Sequence, residues 1–309
     1  MSGALLLAFD VGGTRIKAGL VDRQSGEVSS FRTAPADSGF EPALAVISQL
    51  GRDLTAAGTV DGVGLCIPGI IDSRGIVVSL PGKLEGVEGY DLPAFLAEQF
   101  AVPSVVVNDA VAYAVGEASF GEGAGMTRLV VMTIGTGIGV TVVEDGQPLG
   151  AGAFGAGILG GHIPISEKEE GYLDTNGRPG TIEALCRAQR IVDYASYAGG
   201  KFTTVEDVYE AAERQEEAAL EGLRTYRGHL TRALVALTHA HSPEAVIVGG
   251  GPATPNNPLL NDIEELVNER LFGSMRVKIR TARLGDTGAI VGLSRMLPAG
   301  EDAGHGVRR

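Results

Sequence analysis

Residues 9–22 read FDVGGTRIKAGLVD. LLLAF at 5–9 is apolar at every position, as a strand covered on both faces is. It ends on Asp10, turns through Gly12, Gly13 and Thr14, and IKAGLVD reads as the returning strand. The two glycines let the backbone approach a phosphate, and Thr14 adds a hydroxyl donor. Asp10 is placed to hold a hydrated Mg2+. The turn is not a Walker loop, because it lacks the Gly-Lys-Thr/Ser ending. Nor is it a dinucleotide fingerprint, because a strand follows it instead of a helix. A simple hairpin turn is the other reading of the same residues.

Two further glycine turns repeat the logic. IGTGIG at 134–139 sets Gly135, Thr136 and Gly137 between two apolar strands, and again a plain hairpin is the alternative. VGGGPA at 248–253 ends a strand on Gly249, Gly250 and Gly251, a surface flat enough for an adenine or ribose, or a place of close strand–helix packing. Between them, VPSVVVND at 102–109 is a short apolar strand closing on Asn108 and Asp109, ahead of a helix. Asp109 there is either a helix N-cap or a base kept ionised by the helix dipole. Apolar spacing places helices at 41–57, 181–197, 204–213, 216–241 and 258–271, with a closing helix in DTGAIVGLSRML. No repeat of 20–50 residues is visible.

The totals bound the rest. With 309 residues, two lobes are expected, and 44% hydrophobic content supports a substantial core. A net charge of -13 argues against nucleic acid and anionic membrane as partners. Two cysteines, Cys66 and Cys186, both in apolar segments, read as buried thiols. LLLAF is too short for a signal peptide and no run reaches membrane-span length, so a cytoplasmic protein is expected. The end, PAGEDAGHGVRR at 298–309, is expected to be disordered.

Taken in order, FDVGGTRIKAGLVD, GLCIPGIID, VVNDAVAYAVGE, TIGTGIGVTVVEDG, GGHIPI and VIVGGGPA resemble the ROK family of bacterial sugar kinases and repressors, over residues 4–297. The resemblance implies an α/β fold of two actin-like (ribonuclease H-like) lobes with an interlobe cleft that closes over ATP, Mg2+ and a sugar, usually in a homodimer. The lobes would be 1–112 and 113–282, with the closing helix 283–297 packing back on the first. The phosphate turns fall on Asp10, Gly12, Gly13 and Thr14 and on Gly135 to Gly137, and the adenosine turn on Gly249 to Gly251. Asp109 becomes the catalytic base, Asn108 a grip on a sugar hydroxyl, and Gly69 of the Pro-Gly turn a substrate neighbour. A repressor of the family needs a helix-turn-helix ahead of the first glycine turn, and FDVGGT begins at residue 9. A catalytically silent sugar-binding protein is the second rival.

The chain departs from the family pattern in the sugar segment. Family enzymes carry Ala-Gly-Glu-x-Gly-His and then Cys-x-Cys-Gly-x-x-Gly-Cys-x-Glu, whose His and three Cys hold a structural zinc. Here GILGGH at 157–162 has Leu159 in place of the acid, and DTNGRPGTIE at 174–183 has Asp174, Asn176 and Thr181 in place of the cysteines. Asn and Thr are poor zinc ligands, so no structural zinc is expected. Instead a self-supporting turn leads into a helix that Thr181 caps and that carries Glu183. His162 is read as a sugar contact or as a buried, satisfied histidine. Glu183 is read as a sugar contact or as an exposed helix acid. Lys83 would meet an anionic or carbonyl-bearing substrate or is a solvated surface residue. Leu159 tolerates a deoxygenated or apolar position on the substrate, which widens the acceptor to a hexose, amino sugar or cyclitol.

Overall fold

The computed structural model describes residues 4–36, 39–56, 58–80, 84–149, 158–167, 171–254 and 258–297. Two compact units divide them. Among the described residues, the first takes 4–120 and 286–297 and the second takes 121–149 and 158–285.

The first unit is a five-stranded sheet. β1 (Leu5–Val11) and β2 (Arg15–Asp22) form an antiparallel hairpin, which β3 (Val28–Pro35) extends. On the other side β4 (Gly62–Ile67) runs parallel to β1. A small ribbon of β5 (Ile70–Ile71) and β6 (Val77–Ser79) follows it, and β7 (Ser104–Asn108) runs parallel to β4. The order is β3-β2-β1-β4-β7. Successive residues of β1 point to opposite faces. Leu7 and Phe9 enter one core with α1 (Phe40–Thr55) and α2 (Leu92–Phe100). Leu6 and Ala8 enter another. Both faces are therefore covered, which is why LLLAF shows no polar alternation.

The second of these cores is closed by α3 (Asp109–Phe120) and the chain's last helix, α9 (Gly288–Met296), through Ala112, Ala289, Ile290 and Leu293. The two helices touch backbone to backbone. A Cβ on Gly292 would lie 1.7 Å from the Ala112 carbonyl oxygen, and one on Gly116 would lie 2.3 Å from that of Gly288.

The second unit repeats the plan. β8 (Arg128–Ile134), β9 (Ile138–Glu144) and β10 (Gln147–Pro148) form an antiparallel meander. β11 (Ala245–Gly249) and β12 (Lys278–Thr281) add in parallel, giving β10-β9-β8-β11-β12. α4 (Ile182–Cys186), α5 (Gln189–Tyr197), α6 (Val205–Glu213), α7 (Glu217–His241) and α8 (Ile263–Asn268) supply the helices. Their shared core gathers Met132, Ile134, Leu185, Ile191, Tyr226, Leu230, Leu234 and Val248. Cys66 and Cys186 are both free and buried.

Several boundaries differ from those read off the sequence. The division falls at Phe120 and Asp286 rather than at 112 and 282, because α3 runs unbroken to Phe120. The stretch 181–197 is two helices. Arg187 is extended (φ -62°, ψ 156°), and the next residue, Ala188, donates its N–H to the Gly135 carbonyl at 2.9 Å. The stretch 258–271 is a 3-10 turn (Pro258–Leu260) followed by the short α8. The closing helix begins at Gly288, behind a 3-10 turn at Gly285–Thr287. The tail 298–309 lies outside the described residues.

Candidate active site

In the first unit, parallel pairing brings the C-terminal ends of β1, β4 and β7 to one sheet edge. Asp10 pairs with Cys66, and Ile67 with Asn108. Open α/β sheets bind ligands at this edge. The Asp10 side chain is 16% exposed. Its Oδ2 lies 3.5 Å from Lys17 Nζ, and its Oδ1 accepts from Cys66 Sγ at 3.7 Å. The hairpin register sets Lys17 directly opposite Asp10. Lys17 Nζ also donates to Asp286, at 3.1 Å to Oδ1 and 3.3 Å to the carbonyl. Burial pushes the Asp10 carboxyl up, and the nearby Lys17 ammonium offsets this only in part. The Cys66 thiol is driven far up by burial and then by the Asp10 and Asp109 charges, so it stays neutral. Gly12, Gly13 and Thr14 form the hairpin turn, with Gly12 N–H donating to the Arg15 carbonyl at 2.9 Å. Gly13 and Thr14 are exposed.

Asn108 and Asp109 stand where β7 becomes α3. The cap is Asn108, not Asp109. Its Oδ1 accepts from the N–H groups of Ala110 (2.8 Å) and Val111 (3.2 Å). Such a cap is worth about 1 kcal/mol. Asn108 Nδ2 donates to the Gly69 carbonyl at 2.9 Å. Gly69 thus serves the site by holding Asn108. Its φ of +102° and the Ser79 carbonyl oxygen, 2.5 Å from where a Cβ would sit, admit only glycine. Asp109 Oδ1 accepts from Ala110 N–H at 2.8 Å at the positive end of α3.

In the second unit, Gly135, Thr136 and Gly137 form the turn between β8 and β9, with Gly135 N–H donating to the Gly137 carbonyl at 3.0 Å. Thr136 is exposed. Gly250 adjoins this turn: at φ +99°, its missing Cβ would sit 2.0 Å from the Ile134 carbonyl oxygen. Gly251 is exposed beside it.

Glu183 is not an exposed helix acid. It is 5% exposed. Its Oε2 accepts from Ile138 N–H at 3.1 Å, and its Oε1 accepts from Thr175 N–H at 2.7 Å and from the Thr175 hydroxyl. It ties the 174–180 turn to the Gly135–Gly137 turn. Thr181 caps α4, accepting from Ala184 N–H at 3.2 Å. Asp174 is buried, and its carboxylate lies 2.8 Å from His162 Nδ1. Leu159 is 40% exposed, on the 3-10 turn Ile158–His162. Among the described residues, no group of three or more His, Cys, Asp and Glu is placed to hold a metal. Lys83 lies outside the described residues.

The family model for ROK proteins matches residues 6–299. The chain belongs to the ROK family. Among ROK relatives, the glucokinase of Thermotoga maritima is 26% identical over 87% of this chain and 89% of its own length. The xylose repressor of Bacillus spizizenii is 25% identical over 76% of this chain and 60% of its own length. A ROK family glucokinase from Streptomyces griseus, solved in complex with glucose and AMPPNP, superposes with a TM-score of 0.81 at 25% identity. That match covers 95% of this chain and 99% of the other. The fold is the two-lobed, actin-like ROK fold, and the duplicated sheet plan is its signature here.

Four site residues escaped the sequence reading. Lys17 was findable: in a hairpin turning at Gly12–Thr14, Asp10 and Lys17 face one another. Asp286 and Thr175 carry no such signal, because their partners are 269 and 8 residues away through tertiary structure. Asp174 was seen only as a lost ligand, not as a partner for His162.

Proposed function

We propose that this ROK-family chain is an ATP-dependent carbohydrate kinase that phosphorylates a hydroxyl of a hexose, amino sugar or cyclitol. The observation that carries the reading is Asp109. It is a carboxylate at the positive end of α3, beside a separate capping residue, on the same sheet edge as Asp10. Since Asn108 caps the helix, Asp109 is not needed as the cap. Its second oxygen is assigned the proton of the attacking hydroxyl, a step that positioned bases accelerate by about 10²–10⁴-fold.

The donor set at Asp10 fits Mg2+, a hard cation that takes one or two carboxylates and keeps several waters. Asp10 would hold it through water, with Lys17 as the neighbouring positive charge. Mg2+, when bound, neutralises charge on the transferring phosphates. Backbone and hydroxyl donors of Gly12, Gly13 and Thr14 and of Gly135 to Gly137 orient those phosphates, and Gly250 and Gly251 receive the adenosine. Asn108, through its remaining Nδ2 hydrogen, and His162 address the sugar hydroxyls. Glu183 shapes the site from behind, through Thr175 and Ile138. The segment 174–183 is read as a zinc-free version of the family's zinc turn, with Asp174 organising it. No helix among the described residues is long and apolar enough to cross a membrane. A homodimer, as the family resemblance implies, and a cytoplasmic location complete the proposal, and light scattering on the purified protein tests the dimer.

The deciding experiment is ADP release with Mg·ATP across a panel of hexoses, amino sugars and cyclitols. At least one acceptor is expected to turn over, and Asp109→Asn is expected to lose about 10²-fold or more in kcat. Absence of turnover with every acceptor, together with sugar binding, would establish a regulator or silent binding protein instead.

A further inference from the structure

His162 does not stand alone on its 3-10 turn. Its Nδ1 lies 2.8 Å from Oδ2 of Asp174, whose side chain is fully buried, whereas the imidazole is 21% exposed. The other three bonds to this carboxylate come from donors. Oδ1 accepts from the N–H groups of Asn176 and Arg178, each at 2.9 Å, and Oδ2 accepts from Thr181 Oγ1 at 3.3 Å. Burial alone would push this carboxyl up. The hydrogen bonds from Arg178 N–H, His162 and Asn176 N–H outweigh burial and hold it below the ordinary carboxylate range.

An ionised carboxylate has no proton to give. The hydrogen between the two residues must therefore sit on Nδ1. In the neutral ring this leaves Nε2 with a lone pair, and Nε2 has no hydrogen-bond partner among the described residues. Free imidazole has no comparable constraint; here the second residue decides which nitrogen can do what.

We propose that Asp174 is a positioning residue that fixes His162 as a hydrogen-bond acceptor, so that Nε2 takes a hydrogen bond from a hydroxyl donor of the acceptor substrate. The proposal rests on the kinase reading for its ligand and, for its tautomer, on the Asp174–His162 geometry with the carboxylate ionised. It follows that His162 selects a substrate position bearing a hydroxyl and gains nothing from an ether, a carbonyl or a deoxy carbon there.

Asp174→Asn is the informative variant. The two backbone N–H groups keep Oδ1 in place, so the new amide must turn its NH2 toward His162. That NH2 donates to Nδ1, moves the ring proton to Nε2 and reverses the polarity of the exposed nitrogen. Nitrogen-15 NMR of the five histidines, with His162 assigned by His162→Gln, reads the tautomer directly. The wild type is expected to show Nδ1–H, and Asp174→Asn to show Nε2–H. In kinetics, Asp174→Asn is expected to raise the KM for the acceptor about tenfold and leave the KM for nucleotide unchanged. Added to His162→Gln it should have no further effect. An Nε2–H tautomer in the wild type overturns the proposal. So does an Asp174→Asn protein that keeps Nδ1–H, or one whose two KM values rise together with a lowered melting temperature. Because the NMR needs no turnover, a protein without kinase activity would sink the kinase reading, while the spectrum would still decide the tautomer of the pair.

Discussion

Glu183 shows how one side chain ties two turns together. Three donors converge on its carboxylate: Ile138 N–H, Thr175 N–H and the Thr175 hydroxyl. Gly137 has no room for a side chain on that side, because a Cβ would come within 2.8 Å of Oε2. In Glu183→Gln the amide NH2 must face one of these donors, leaving a buried pair unsatisfied at a cost of about 1–3 kcal/mol. Urea denaturation of that variant is expected to show a loss in this range, whereas an exposed helix acid would show almost none. The contrast with Asp10 explains what a sequence reader can see. Asp10 announces itself because its context is local: a buried strand, then Gly12, Gly13 and Thr14. The role of Glu183 depends on Ile138, 45 residues away, and no local pattern encodes that approach. Lys17 lies between these cases. It is invisible as a lone lysine and legible once the hairpin is drawn in register.

The contact between α3 and α9 depends on glycine in the same way at the level of elements. Gly292 meets the Ala112 carbonyl and Gly116 meets that of Gly288, so the helix backbones cross with no side chain between them. Helices approach this closely where small residues at the crossing keep side chains out of the contact. Gly292→Ala keeps helix propensity, and even improves it, yet forces the helices apart. We expect a net loss of about 2 kcal/mol or more, measured by chemical denaturation, with no change in the secondary-structure content of the folded protein. Elements with a marked apolar rhythm were legible, as for α7, where buried Leu223, Tyr226, Leu230, Leu234 and Leu237 keep helical spacing. β3 was not: its burial pattern is exposed over five successive residues, and only pairing with β2 makes it a strand. The break at Arg187 was hidden for a different reason. It serves the bond from Ala188 to Gly135, which belongs to another element.

Across the whole molecule, one plan is used twice, with an antiparallel hairpin or meander on one side of each sheet and parallel strands on the other. No sequence repeat betrays this, because the plan needs only apolar strands and glycine turns, which many sequences provide. The two copies differ in continuity. The second draws on the middle of the chain alone, whereas the first borrows α9 from the far end. Without α9, Leu6, Ala8, Val21 and Cys66 lose Ile290 and Leu293, which cover them. A chain ended after residue 285 is expected to lose the cooperative unfolding of the first unit, seen as rapid amide exchange across β1 and β4. Retention of slow exchange there would show that α9 is dispensable. The same borrowing sets an order of events on the ribosome. At roughly 5–20 residues per second, the segment between α3 and α9 takes on the order of ten to thirty seconds to synthesise. Through that interval the nascent first sheet has α3 but not α9 over this apolar face, so the part of the chain made first is the part finished last.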